Sequence, residues 1–119
     1  MAVTRTDLGA IHISSDVIAM IVGKSAEQCY GIVGMAPANL GDGIAEILQV
    51  GNLHRGVKVQ VVDERIVIDL YVVIQYGTRI SEVAQNVMEA VKFNVERSLG
   101  MPVAEVNIHV QGLHLNRED

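Results

Sequence analysis

Four histidines and a single cysteine are the side chains of this chain with most scope for metal or acid–base chemistry. His12 lies in Ile11-His12-Ile13 and His109 in Ile108-His109-Val110, both at outward positions of strand-like alternation. Asn107 and Gln111 share the face of His109. If the first and last strands pair, the two imidazoles approach each other. Zinc would still need a third and fourth ligand, and Cys29 belongs to a different element. His54 falls in a Gly-rich stretch and His114 near the end, neither with a Ser or Cys at motif spacing. Nucleophilic catalysis needs such a base beside its nucleophile. Asp63 and Glu64 read as turn residues. Asp69 sits among apolar neighbours, where a carboxylate must be paired, solvent-facing or at an interface. Sharing a face with Tyr71 and Gln75, it reads as solvent-facing in a monomer, with Arg65 as its available partner. No catalytic residue, metal or cofactor is expected.

Nucleic-acid and nucleotide chemistry are equally poorly served. Gly31-Ile32-Val33-Gly34 fits the G-x-x-G loop with which KH domains clamp a nucleotide backbone. Its two central residues are apolar and its flanks, Tyr30 and Met35, carry no cation, so a strand entering the core explains the same letters better. The chain holds 14 acidic against 9 basic residues, a formal charge of −5. Counterion release needs clustered Lys and Arg, and no such cluster exists. Gly41-Asp42-Gly43 is a turn sequence rather than a phosphate cradle. Binding to RNA or DNA at physiological salt is not expected, and an anionic lipid surface gains nothing either.

The elements that would position these residues are legible in outline. Gly9–Ser14 alternates as a short first strand, and Ser14 or Ser15 can cap a helix with Asp16 near its positive end. Val17, Ile18, Ile21, Val22, Ser25 and Ala26 make its stripe, Gly31 is its stop, and Ile32–Met35 is a short strand. Residues 36–56 are rich in turn formers, and read as a loop or, more sharply, as a ligand-gripping one. Val57, Val59 and Val61 alternate up to Asp63-Glu64-Arg65, the bend of a hairpin. A second helix runs from about Ser81 to Leu99, its apolar positions recurring at threes and fours, and Gly100 and Pro102 end it. Val103–Val110 closes the fold with Val106, Ile108 and Val110 facing in. Two helix-Gly-strand units thus bracket the hairpin, a faint internal duplication. The expected fold is an α+β two-layer sandwich, two helices on one face of a mixed four- to five-stranded sheet. One domain spans 1–119, with 1–8 and 114–119 as flexible tails.

One stretch stands out from the rest. Ile66–Tyr76, I-V-I-D-L-Y-V-V-I-Q-Y, puts Ile66, Ile68, Leu70, Val72, Ile74 and Tyr76 on one face at period two. Eleven residues span roughly 35 Å, long for a strand in a small domain. The other face reads Val67, Asp69, Tyr71, Val73 and Gln75, neither a core nor an ordinary wet surface. Left exposed in a monomer, such a face marks a contact. These five residues are the candidate interaction surface, and an oligomer is expected.

Half of the residues are apolar but only 3 Tyr and 1 Phe are aromatic, so the core must be aliphatic. The single cysteine rules out an internal disulfide framework and suits a reducing compartment. Residues 1–8 lack a hydrophobic signal core, and the longest apolar runs, Val17–Val22 and Leu70–Ile74, fall far short of the roughly 20 residues of a membrane span. A soluble cytoplasmic protein is expected.

Read together, Gly31-Ile-Val-Gly-Met-Ala36, Gly56-Val-Lys-Val59, Ile68–Gly77, Val83-Ala-Gln-Asn-Val87 and Val106–Gly112 resemble the bacterial alkaline-shock proteins, the envelope stress response proteins of Gram-positive bacteria. The resemblance runs from about Gly9 to Leu113, to a short, compact member. It implies a cytosolic protein without known enzymatic activity, linked to cell-envelope homeostasis and brought to the membrane only through a partner. It further implies self-association and a protein partner, either a small membrane-anchored protein or a dihydroxyacetone-kinase-like protein of the fatty-acid kinase type. An accessory or regulatory subunit of such a kinase, or a small-ligand binder, is the alternative role.

Overall fold

The computed structural model describes residues 2–36 and 56–115. Six strands and two helices follow in order: β1 (Ala2–Thr6), β2 (Gly9–Ile13), α1 (Ser15–Glu27), β3 (Ile32–Met35), β4 (Val57–Val62), β5 (Arg65–Gln75), α2 (Ile80–Leu99) and β6 (Val103–His114). This is the expected α+β architecture, a mixed four-stranded sheet with a separate two-stranded hairpin.

β5 is the centre of the main sheet. β6 runs parallel to it along almost its whole length, from Ile66↔Val103 to Gln75↔His114. The other edge of β5 is shared by two antiparallel strands laid end to end. β4 takes residues 65–70 and β3 takes Val72–Ile74. Between them Tyr71 is bonded to both: its C=O accepts from the N–H of Ala36 at 2.9 Å, and its N–H donates to the C=O of Gly56 at 2.8 Å. The chain therefore leaves the sheet after Ala36 and rejoins it at Gly56, beside the same residue. Gly56 has φ +82°, and a Cβ there would lie 2.5 Å from the Ala36 oxygen and 2.9 Å from that of Tyr71. Only glycine fits this closure.

The core lies between the helices and one face of β5. Ile66, Ile68, Leu70, Val72 and Ile74 are all fully buried there, as period-two alternation requires. Val83, Val87, Val91 and Val95 meet them from α2, and Ile18, Val22 and Ala26 from α1. The helices are tied together by Asn94, whose amide donates to the Ser25 hydroxyl at 3.0 Å, so the buried Ser25 is satisfied. Ser14 caps α1 by accepting from the Val17 N–H at 3.2 Å. Gly100 ends α2 in the left-handed region, and the Glu96 carboxylate accepts from the Val103 N–H at 2.9 Å, fixing where β6 begins.

Four expectations need correction. Residues 2–6 belong to a strand rather than a tail: β1 pairs with β2 in full register, and the Ala2 methyl is completely buried in the core. β2 accordingly pairs with β1 and stays outside the main sheet. His114, assigned to the C-terminal tail, lies within β6, its carbonyl accepting from the Tyr76 N–H at 3.0 Å. Tyr76 itself falls past the end of β5, where the strand alternation no longer holds it on the buried face, and is 62 % exposed. The suggestion of a ligand-gripping loop, and with it His54, falls on 37–55, outside the described residues. Gly31–Gly34 enters the edge strand β3, as the strand reading had it.

Two outcomes follow for stability. Leu70→Asp places an unpaired carboxylate among aliphatic side chains, at a cost of several kcal/mol against a typical net stability of about 5–15 kcal/mol. Circular dichroism will show loss of the cooperative thermal transition. The β4–β5 turn holds Asp63 at φ +50° and Glu64 at φ +63°, a conformation costly for side-chain-bearing residues. Glu64→Gly relieves that cost and stabilises by about 0.5–1 kcal/mol, read as a melting temperature a few degrees higher.

Candidate interaction surface

Alternation along β5 sends Val67, Asp69, Tyr71, Val73 and Gln75 to the face away from the helices, and all five are half-buried. They are less exposed than a bare strand face would be, because β5 is central and side chains of β4 and β6 flank them. Among the described residues no further layer packs on this face.

The middle of the face is polar and organised. The parallel register sets Asp69 beside Asn107 and Tyr71 beside His109. His109 Nε2 lies 3.0 Å from Asp69 Oδ1, and its ring stacks on that of Tyr71 with centroids 4.4 Å apart and planes 11° off parallel. On the β4 side Lys58 is the cross-strand partner of Asp69, and its ammonium sits 5.8 Å from the centre of the Tyr71 ring. Asp69 therefore has a histidine on one flank and an ammonium on the other. Val67 and Val73 border this cluster along the strand. The His109 and Asp69 side chains keep 41 % and 23 % of their surface in solvent, so water screens the pair and its net stabilisation is about 0.2–1 kcal/mol. Its effect is orientation. The imidazole is held by the carboxylate and by the aromatic plane together.

The face thus presents a flat aromatic stack, a carboxylate, an ammonium and two branched apolar side chains together. Asp69 does lie on the open face, but the partner it finds there is His109 rather than Arg65. His12 and His109 sit on strands of different sheets, His12 opposite Val3 on the hairpin. The pairing of first and last strands that would have brought them together does not occur. Gln111 falls at the irregular part of β6, between Val110 and Gly112, off the ladder that carries Asn107 and His109. Cys29 donates its thiol to the Ser25 carbonyl at 3.4 Å, and burial pushes its pKa up. The Tyr71–His109 stack is the feature that sequence reasoning missed. Its signal lay in two matched pairs, Asp69/Tyr71 and Asn107/His109, each spaced i, i+2 on an outward face.

A family model described as "Asp-23 family, cell envelope-related function" matches residues 3–115. The Bacillus subtilis (strain 168) protein YloU is 51 % identical over 112 residues, covering 93 % of each chain. The Streptococcus pyogenes serotype M6 protein Spy1614 is 42 % identical over 116 residues, covering 97 % of this chain and 96 % of its own. A more distant S. pyogenes serotype M3 relative, 28 % identical over 105 residues, is named a stress response regulator gls24 homolog; the match takes in 86 % of this chain and 57 % of that one. Among solved structures, the MamM C-terminal domain in its copper form superposes with a TM-score of 0.52 at 11 % identity, over 88 % of this chain and 92 % of that one. That likeness concerns the fold alone. By the near-complete family match and the two close relatives, the chain belongs to the alkaline-shock protein 23 family, whose function is cell envelope-related.

Proposed function

We propose that this protein is a non-enzymatic interaction scaffold of the bacterial cytoplasm, serving the cell envelope by self-association and by holding a protein partner on the open face of its sheet. The observation that carries this reading is the organised centre of that face. A side-chain cluster with no structural layer above it among the described residues is nonetheless oriented by a hydrogen bond of 3.0 Å and a ring stack of 4.4 Å. Fixed aromatic planes lose little entropy on binding, which suits them to be anchors of a protein contact. The family's cell envelope-related function supplies the setting. Among the described residues no helix is long and apolar enough to cross a membrane, which supports a membrane contact made through the partner.

Tyr71→Asp removes the central ring and adds a charge where the face is half in solvent, leaving the buried side of β5 untouched. Its circular dichroism spectrum will match that of the wild type, whereas a partner retained by tagged wild-type protein from the native cell will be lost. His109→Ala will keep the fold, at a cost within about 1 kcal/mol, and weaken the same retention. If both variants retain the same proteins as the wild type, the open face is not the partner surface.

A further inference from the structure

We propose that two copies of this chain pair edge to edge through β6, antiparallel about a two-fold axis, so that one sheet runs through both. This rests on the reading that the chain self-associates, and it places that association at the sheet's edge rather than on its open face.

The first observation concerns backbone. β6 spends one edge on β5, and its other edge meets no strand among the described residues. A strand edge left this way is a row of unpaired N–H and C=O groups, a template for another strand, and proteins that stay monomeric blunt it with Lys, Pro, bulges or short strands. The opposite edge of this sheet has such devices: β3 is four residues long with an irregular register, the chain departs after it, and β4 carries Lys58. β6 has none of them in its middle. From Glu105 to Val110 it keeps unbroken register with β5 and contains no Lys, Arg or Pro.

The second observation concerns side chains. Val106, Ile108, Val110 and Leu113 are set opposite the buried β5 residues Ile68, Leu70, Val72 and Ile74, on the helix side. Yet cover fails along the strand: Val106 is 6 % exposed, Val110 39 % and Leu113 44 %. Beside the better-covered part of the row, a groove of about 360 Å³ opens between α2 and β6, with Met88, Val103 and Val106 at its floor and Gln85, Glu89 and Lys92 of α2 along its rim. The occupant that fits has an extended backbone, apolar side chains towards the helices and polar ones towards the open face.

β6 is itself such a strand. In a two-fold pair each face meets its own copy, so the apolar row meets the apolar row. With the axis at Ile108, Val106 of one copy falls opposite Val110 of the other, and Asn107 opposite His109. Glu105, the one carboxylate of the strand, falls opposite Gln111, so no like charges face each other within the strand pair. A strand of unrelated sequence would need this pattern by chance; the second copy has it by construction.

The test uses the full-length chain. Sedimentation is expected to show a dimer at micromolar concentration, with the amides of residues 105–110 gaining hydrogen-exchange protection as concentration rises. Single cysteines at positions 107, 108 and 109, each in a Cys29→Ser background, will form a covalent dimer fastest at the residue on the axis, where facing Cα atoms stand about 4.5–5.5 Å apart, within disulfide reach. Val110→Lys, at a position already part-exposed, will weaken the dimer at least about tenfold, while Tyr71→Asp leaves it intact. A dimer that Val110→Lys leaves unchanged, with no cross-linking at any of the three positions, overturns edge pairing and leaves self-association standing. A wild-type monomer at every concentration overturns self-association itself, and protection of residues 105–110 in that monomer only when a partner is added gives the edge to a foreign strand.

Discussion

The fold depends on β5 being paired on both edges along its length while burying every second side chain. Five inner residues, Ile66 to Ile74, reach zero exposure at once, each stabilising by roughly 1.5–3 kcal/mol. Their sum is comparable to the whole net stability of a typical domain. Full burial of that face is possible only because the strand's backbone is satisfied from both sides, by β6 on one edge and by β4 and β3 on the other. With few aromatic rings to fill space, the core relies on branched aliphatics from β5 meeting the valine row of α2 at 83, 87, 91 and 95. The helices then have a single place to sit, and the second face of the sheet is left without a layer among the described residues.

That second face inherits its chemistry from the register. The crossover through α2 makes β6 parallel to β5, and the position of Val103, held by Glu96 and the turn at Gly100, together with the extra residue Ala104 taken up just after it, decides which β6 residue stands beside Asp69 and Tyr71. A shift of one residue would turn His109 to the other face of the sheet. The oriented cluster of Asp69, Tyr71, His109 and Lys58 is therefore a product of the helix-to-strand turn as much as of β5 itself. The oriented cluster on one side of the sheet and the packed core on the other are set by the same backbone ladder.

Much of the fold could be read from local pattern. The two faces of β5, the valine stripe of α2, the Ser14 cap and the β4–β5 bend all follow from period, capping and turn chemistry, which act over a few residues. The hairpin β1–β2 could not be read this way, because Ala2–Thr6 has no alternation strong enough to announce a strand, and its anchoring comes from burial of the small Ala2 methyl. The site was half legible. Asp69 and Tyr71 stood out as polar and aromatic positions on an otherwise apolar strand. Their meeting with His109 depends on strand order between segments 40 residues apart, which no local pattern encodes.

The split edge of the sheet has a consequence for the length of chain it can carry. Tyr71 divides its two backbone bonds between Ala36 and Gly56, so β3 and β4 act as one strand with an excursion inserted at a single rung. The ends of the excursion are already held side by side by the scaffold. Changing the length of chain between two ends held in this way costs little in closure entropy, about 0.6 kcal/mol for each doubling. Both ends are fixed by the bonds of one residue, so β3 and β4 each keep their own register with β5 on either side of that rung.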